Sequence, residues 1–221
     1  MLREDSLKFK GARKRLIDKV GKLMKEHGVE DERVLKAMME VPRHIFFDSV
    51  FDQKFAYENT AFKIGAGQTI SQPFTVAIQS ALLEVKKRDK ILEIGTGSGY
   101  QAAVLLAMSA KVFTIERQKL LYDKAKDVLP ALGYRPRMFY GDGFKGLPSY
   151  APFDGVIVTC GAPFVPEALI EQLKPGGKAV IPVGDGNTQK MLRIIKNEDG
   201  STKTEDYGDF SFVPMLQNTA K

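Results

Sequence analysis

The stretch Lys90-Ile91-Leu92-Glu93-Ile94-Gly95-Thr96-Gly97-Ser98-Gly99-Tyr100 decides the fold. Its first five residues read as a short buried strand, because parallel strands covered on both faces are close to continuously apolar. Gly95, Gly97 and Gly99 then make a turn. Lacking a Cβ, they can take sharply turned backbone and let the main chain approach a neighbour closely. A helix is expected from Tyr100 to about residue 108. Strand, glycine turn and helix in succession form half of a parallel strand–helix–strand unit.

Working outward, the same alternation repeats. Strands are expected at 111–115, 137–140, 155–159, 178–182 and 191–196, and helices at 74–85 (opened by Pro73), 119–129 and 166–173. Such alternation implies parallel pairing with right-handed crossovers, hence an α/β fold with a doubly wound, mostly parallel, Rossmann-like sheet. Residues 197–201 (NEDGS) read as a hairpin-type turn, so an antiparallel strand is expected to end the sheet. Ahead of the core, Leu7, Ile17, Val20, Leu23 and Met24 predict an amphipathic helix over 6–26, stopped at His27-Gly28. Val34, Leu35, Met38, Met39 and Val41 predict a second helix, closed by Pro42. Residues 43–72 read as irregular and aromatic-rich. The expected organisation is one compact domain, with an N-terminal helical extension and substrate loop over 1–72 and a catalytic core over 73–221.

Composition narrows the function. A chain of 221 residues with 43% apolar content suits one globular domain. No apolar run reaches the roughly 20 residues that cross a bilayer, and the first residues lack the apolar segment of a secretory signal. Cys160 is the only cysteine, so no internal disulfide is expected and a cytoplasmic setting fits. One cysteine with His27 and His44 is too little for a zinc or iron site. The net charge is +6. Residues 1–25 hold nine cations and three acids, so the remainder is neutral overall. A solvated face accounts for such a helix, as does a surface for acidic partners; the core itself gives no reason to expect nucleic acid.

The glycine turn departs from the dinucleotide fingerprint G-x-G-x-x-G, since the third glycine arrives one residue early. With Glu93 inside the strand, G-x-G-x-G resembles the first motif of class I S-adenosylmethionine-dependent methyltransferases. Glu116 ends the next strand, where an acid can accept hydrogen bonds from both ribose hydroxyls. Gly141-Asp142-Gly143 follows the third strand, where that family places an acid near the adenine amine. Taken singly, Glu116 or Asp142 would read as a helix cap or a surface charge. Together with the glycines, the resemblance implies that Glu93, Gly95, Thr96, Gly97, Gly99, Glu116, Asp142 and Gly143 hold S-adenosyl-L-methionine and its product S-adenosyl-L-homocysteine. Lys174-Pro175-Gly176-Gly177 resembles a common turn of those enzymes and is assigned no chemistry.

The methyl acceptor is read upstream. Ile64-Gly65-Ala66-Gly67-Gln68-Thr69-Ile70-Ser71-Gln72-Pro73 resembles the signature of protein-L-isoaspartate (D-aspartate) O-methyltransferases. The resemblance extends over about residues 34–216, through Val41-Pro42-Arg43-His44-Ile45-Phe46, Ile181-Pro182-Val183-Gly184 and Phe212-Val213-Pro214. It implies methyl transfer to the free carboxylate of isoaspartyl residues in damaged proteins and peptides, by an enzyme expected to act as a monomer. It also implies that Gln68, Thr69, Ile70, Ser71, Val213 and Pro214 contact the substrate, with Ser71 as the active-site residue donating a hydrogen bond. Ser71 also reads as an N-cap of the helix opened by Pro73, a role compatible with lining the site, and 212–214 as a closing core strand. Phe46 and Phe47 read as core. The chain departs from its relatives at Val158-Thr159-Cys160-Gly161-Ala162, where small alanines are usual; Cys160 is expected to be a buried packing residue.

Overall fold

The computed structural model describes residues 5–47 and 52–220; positions 1–4 of the expected extension and 221 of the expected core lie outside them, as do 48–51. Two helices lead, α1 (Leu7–Glu26) and α2 (Glu32–Glu40), and a two-stranded antiparallel hairpin follows, β1 (Phe62–Gly65) with β2 (Gln68–Ile70). The core then runs α3 (Pro73–Leu82), β3 (Lys90–Ile94), α4 (Tyr100–Ala107), β4 (Lys111–Glu116), α5 (Lys119–Ala131), β5 (Arg137–Tyr140), β6 (Phe153–Val158), α6 (Glu167–Glu171), β7 (Leu173–Val183), β8 (Gln189–Lys196) and β9 (Thr202–Phe210).

The main sheet has seven strands in the order β5-β4-β3-β6-β7-β8-β9. Pairings from β5 to β7 are parallel, whereas β7–β8 and β8–β9 are antiparallel. Strand order reverses beside β3, since the chain moves outward through β4 and β5 and returns to place β6 on the other side. Ligands bind at the carboxyl ends of strands at such a reversal. Alternate residues of β3 feed two separate cores: Ile91 packs with the helices α1–α4, and Leu92 and Ile94 pack with Phe153, Val156 and Leu169 on the opposite face.

Several expectations need correction. Residues 43–72 are not irregular throughout, because Phe62↔Ile70 and Lys63↔Thr69 pair across a turn in which Gly65, Ala66 and Gly67 all have positive φ. The glycines permit that turn, but Ala66 (φ 49°) concealed it. The buried face of α1 is Arg13, Leu16, Ile17, Val20 and Met24, and Leu7 is 87% exposed. Arg13 can be buried because Asp5 ion-pairs with it at 2.8 Å and Tyr57 accepts a hydrogen bond from it at 3.1 Å. The helix expected over 166–173 covers only Glu167–Glu171, and the strand expected from 178 begins at Leu173. The Lys174-Pro175-Gly176-Gly177 turn is therefore an irregularity inside β7, opposite a register shift between Phe153 and Gly155.

Candidate active site

At the end of β3 the backbone turns through Gly95 (φ 95°), Gly97 (φ 54°) and Gly99 (φ 87°). A Cβ on Gly95 would stand 2.6 Å from Thr159 Oγ1, inside van der Waals contact, so the turn is closed to larger residues. Thr159 in turn donates to the Gly95 carbonyl at 2.6 Å. Gly99 begins α4 in left-handed conformation and lies against Leu129, where a Cβ would approach within 2.9 Å.

Glu116 stands at the tip of β4, facing this turn. One of its oxygens accepts from the Gly97 N–H and the other from the Gln118 N–H, each at 2.8 Å. Burial raises the pKa of this 4% exposed carboxyl, with the backbone donors acting in the opposite direction. A carboxylate offers about four acceptor positions, so two remain for hydroxyls entering the cleft. That is the donor–acceptor match a ribose requires.

Glu93 is more deeply placed. It is fully buried and neither oxygen has a hydrogen-bond partner. Burial pushes its carboxyl up to about 8, the nearby Thr114 hydroxyl lowers it only in part, and the charge of Glu116 adds to the rise. Such a group is a strong perturbation directly beneath the glycine turn, the kind that clusters at functional sites.

The opposite wall is built from β2 and the start of α3. Gln68, Thr69, Ile70 and Ser71 line one cleft with Gly95, Thr96, Gly97, Glu116 and Gly143, and Val213 and Pro214 border it as well. The cleft measures about 760 Å³ including its open mouth. Ser71 does not cap α3: Asn59 does so, its Oδ1 accepting from the Phe74 N–H at 2.9 Å. Asn59 is itself held by the Gln72 side-chain amide at 3.0 Å. The Ser71 hydroxyl is thereby left to the cleft. Residues 212–214 are not a buried closing strand. Val213 accepts from the Gly161 N–H at 2.8 Å while Pro214 is exposed, so this segment is stitched to the chain just beyond β6 at the cleft rim.

Three of the expected residues do not line the cleft. Glu93 lies beneath it, and Gly99 supports the turn from behind. Asp142 does not line the cleft itself; it accepts from the Phe144 N–H and the Asn218 N–H, each at 2.9 Å, which leaves it two acceptor positions, as for Glu116. It therefore acts as a cap and also tethers the C-terminal tail, which Arg117 holds through the carbonyls of Gln217 and Asn218. Its neighbour Gly143 does face the cleft, packed so tightly on Ile94 that a Cβ would collide with it.

Other lining residues escaped sequence reading, among them Val76, Tyr100, Gln101, Arg117, Thr159 and Met215. Tyr100 and Thr159 sit inside stretches that sequence reading singled out, without being assigned to the site, and no short motif marks Val76, Gln101, Arg117 or Met215, which reach the cleft through packing. Tyr100 is fixed by the buried Arg43, whose guanidinium carbon sits 4.8 Å from its ring centre. Cys160 is half-buried, packing against the second core while also lining the cleft, and burial pushes its thiol up to about 12. Neither histidine reaches the cleft. His44 stacks on Phe9 with ring centres 3.9 Å apart, and His27 lies edge-on to Phe74 and Phe210.

Comparison with known proteins agrees with this geometry. Residues 13–220 match the family model described as protein-L-isoaspartate(D-aspartate) O-methyltransferase. A protein-L-isoaspartate O-methyltransferase of Flavobacterium psychrophilum is 50% identical over 216 residues, covering 97% of this chain and 99% of the relative. One from Cytophaga hutchinsonii is 52% identical over 213 residues, covering 96% of this chain and 94% of the relative. A solved structure titled protein-L-isoaspartate O-methyltransferase is similar at a TM-score of 0.75 and 28% identity, covering 91% of this chain and 66% of that one. A Plasmodium falciparum structure, titled a putative enzyme of the same kind in complex with S-adenosyl-L-homocysteine, shares the fold at a TM-score of 0.76 and 24% identity, covering 93% of this chain and 99% of that one.

Proposed function

The chain belongs to the protein-L-isoaspartate(D-aspartate) O-methyltransferase family, and from that membership we propose how its cleft moves a methyl group. The reaction joins the methyl of S-adenosyl-L-methionine to the free α-carboxylate of an L-isoaspartyl residue in a damaged protein. When bound, S-adenosyl-L-methionine supplies an electrophilic methyl on a sulfonium sulfur. The β3 turn with Glu116 and Gly143 would hold the adenosine portion, Glu116 through its remaining acceptor positions. Glu93 shapes the floor of the turn, and Asp142 contributes by fixing Gly143 and the tail.

The acceptor carboxylate has an ordinary pKa of roughly 3.5–4 and is ionised at neutral pH. It needs no general base, and no histidine borders the cleft among the described residues. What it does need is orientation. The Ser71 hydroxyl donates to it, with Thr69 beside it and Gln68, Ile70, Val213 and Pro214 lining its approach. Rate enhancement then comes from alignment of carboxylate and methyl in a cleft that excludes water. The ester carbonyl is more electrophilic than the carboxylate and carries methoxide as its leaving group, so the next backbone nitrogen attacks it, loses its proton and expels methanol, closing a succinimide. Hydrolysis of the succinimide restores part of the normal linkage, which is repair.

The single observation that carries this reading is that Ser71, relieved of capping by Asn59, shares one cleft with Glu116 and the glycine turn. Action as a monomer is part of the proposal, and the lone cysteine supports a reducing, cytoplasmic setting. The test supplies radiolabelled S-adenosyl-L-methionine with matched peptides containing Asp or isoAsp. Base-labile label on the isoAsp peptide alone is expected. Equal label on both peptides, or label transferred to RNA instead, would refute the proposal.

A further inference from the structure

All of the chain's excess positive charge lies in its first 25 residues, and methyl transfer makes no use of it. Along α1, Lys8, Arg15, Lys19 and Lys22 are exposed and fall on one face at three-, four- and seven-residue steps. Three other cations of the helix are neutralised, Arg13 by Asp5, Lys14 by Asp18 and Lys25 by Glu30, while Lys10 is exposed and forms no ion pair among the described residues. Arg15 and Lys19 form no ion pair among the described residues. Instead they line a groove with Lys54, and the one acid there is Glu58.

This groove connects to the active site. Thr60 lines it and also lines a second groove, which passes Gln72, Phe74, Phe210 and Phe212. Thr69, Ser71, Thr159 and Val213 line both the second groove and the cleft. The middle stretch is mostly hydroxyl and aromatic in character. Its only acid, Asp209, is paired with Lys190 at 2.9 Å. A polypeptide with its reacting residue at Ser71 therefore meets a connected trough that ends in positive charge.

We propose that this trough extends the peptide site and that Arg15 and Lys19 select acidic side chains flanking the isoaspartyl residue. The inference rests on the isoaspartyl reading and adds a substrate preference to it. Each exposed ion pair changes affinity by a factor of about 1.4 to 5, so two together should give about two- to 25-fold. The preference should fade as salt screens it.

The experiment compares isoAsp peptides flanked on one side or the other by Glu, Gln or Lys blocks, measuring KM and kcat at low and high salt. On one flank, the Glu block should lower KM about two- to 25-fold relative to Gln at low salt, with little change in kcat. At high salt the difference should disappear. The double variant Arg15→Glu, Lys19→Glu should reverse the order, making Lys-flanked peptides the better substrates. The double variant Lys86→Glu, Lys87→Glu makes the same change in net charge on exposed positions away from the groove and should leave the ranking intact. Equal KM values for all three flanks in the wild type would overturn the proposal, as would loss of the ranking in the Lys86/Lys87 variant. Competition by single-stranded RNA stronger than by polyglutamate of equal charge would assign the groove to nucleic acid and overturn it too. If the neutral isoAsp peptide accepted no methyl at all, the functional reading beneath the inference would fall with it.

Discussion

Replacing Glu93 with glutamine should make the ligand-free protein's stability less sensitive to pH. The carboxyl is fully buried without a hydrogen-bond partner, and burial lifts its pKa to about 8 from the ordinary 4.5. Between those two values the folded protein keeps this proton while the unfolded chain has released it. The folded state then binds more protons, and stability falls as pH rises. The penalty is absent below the unfolded pKa and complete above the folded one. Each pH unit inside the window costs about 1.4 kcal/mol, so from about pH 5 to about pH 7 the wild type should lose about 3 kcal/mol from this group. For a chain of this length, 1 kcal/mol moves the melting temperature by about 2–4 °C. The amide introduced by Glu93→Gln does not titrate. Differential scanning calorimetry of both proteins should therefore show the variant's Tm advantage growing by about 6–12 °C over that range. An offset between the two proteins that stayed constant across the range would refute the assignment of a neutral, strained acid beneath the glycine turn.

The other expectations concern the cleft walls. Ser71→Ala should lower kcat on an isoaspartyl peptide by about 10- to 100-fold, the worth of a hydrogen bond to a charged group. Calorimetric affinity for S-adenosyl-L-homocysteine and the melting temperature should barely move; parallel losses in all three would return Ser71 to a structural role. Asn59→Ala should show the reverse weighting, costing about 1 kcal/mol of stability through the lost cap in denaturant titration. Glu116→Ala should weaken cofactor binding by on the order of 1–3 kcal/mol in calorimetric titration, and unchanged affinity would count against Glu116 as the ribose acceptor. Asp142→Ala should speed amide exchange at Asn218 in the ligand-free protein. Unaltered exchange there would mean that the tail is not tethered through this carboxylate.

The strands were legible wherever burial on both faces made the sequence continuously apolar. The bounds of β3 and β5 coincide with those expected from sequence, and the β8–β9 hairpin closes where NEDGS indicated a turn. Legibility failed where a backbone conformation depends on distant partners. The β1–β2 hairpin turns partly on Ala66, a residue that does not announce positive φ. Similarly, β7 begins early at Leu173 because Phe153 pairs with it, a contact between residues far apart in the chain that no local pattern encodes.

Within the site, residues drawn from short motifs mostly reached the cleft, since a motif is a run of chain whose geometry is local. Gln68–Ile70 with Ser71, and Gly95 with Thr96 and Gly97, lie where a strand delivers them. Chain order alone thus determined a doubly wound sheet, a glycine turn at its reversal and an acid at each of the first strand ends. Tertiary structure decided which of those polar groups are free to act. Asp142 is turned to the Phe144 and Asn218 N–H groups and away from the cleft lining, Glu93 is shut beneath the turn, and Asn59 takes the capping duty that Ser71 would otherwise bear. A hydrogen-bond donor or acceptor is available to a ligand only after its buried neighbours have been satisfied. Those neighbours come from 15 to 76 positions away for Phe74–Asn59 and Asn218–Asp142, beyond the reach of any local pattern.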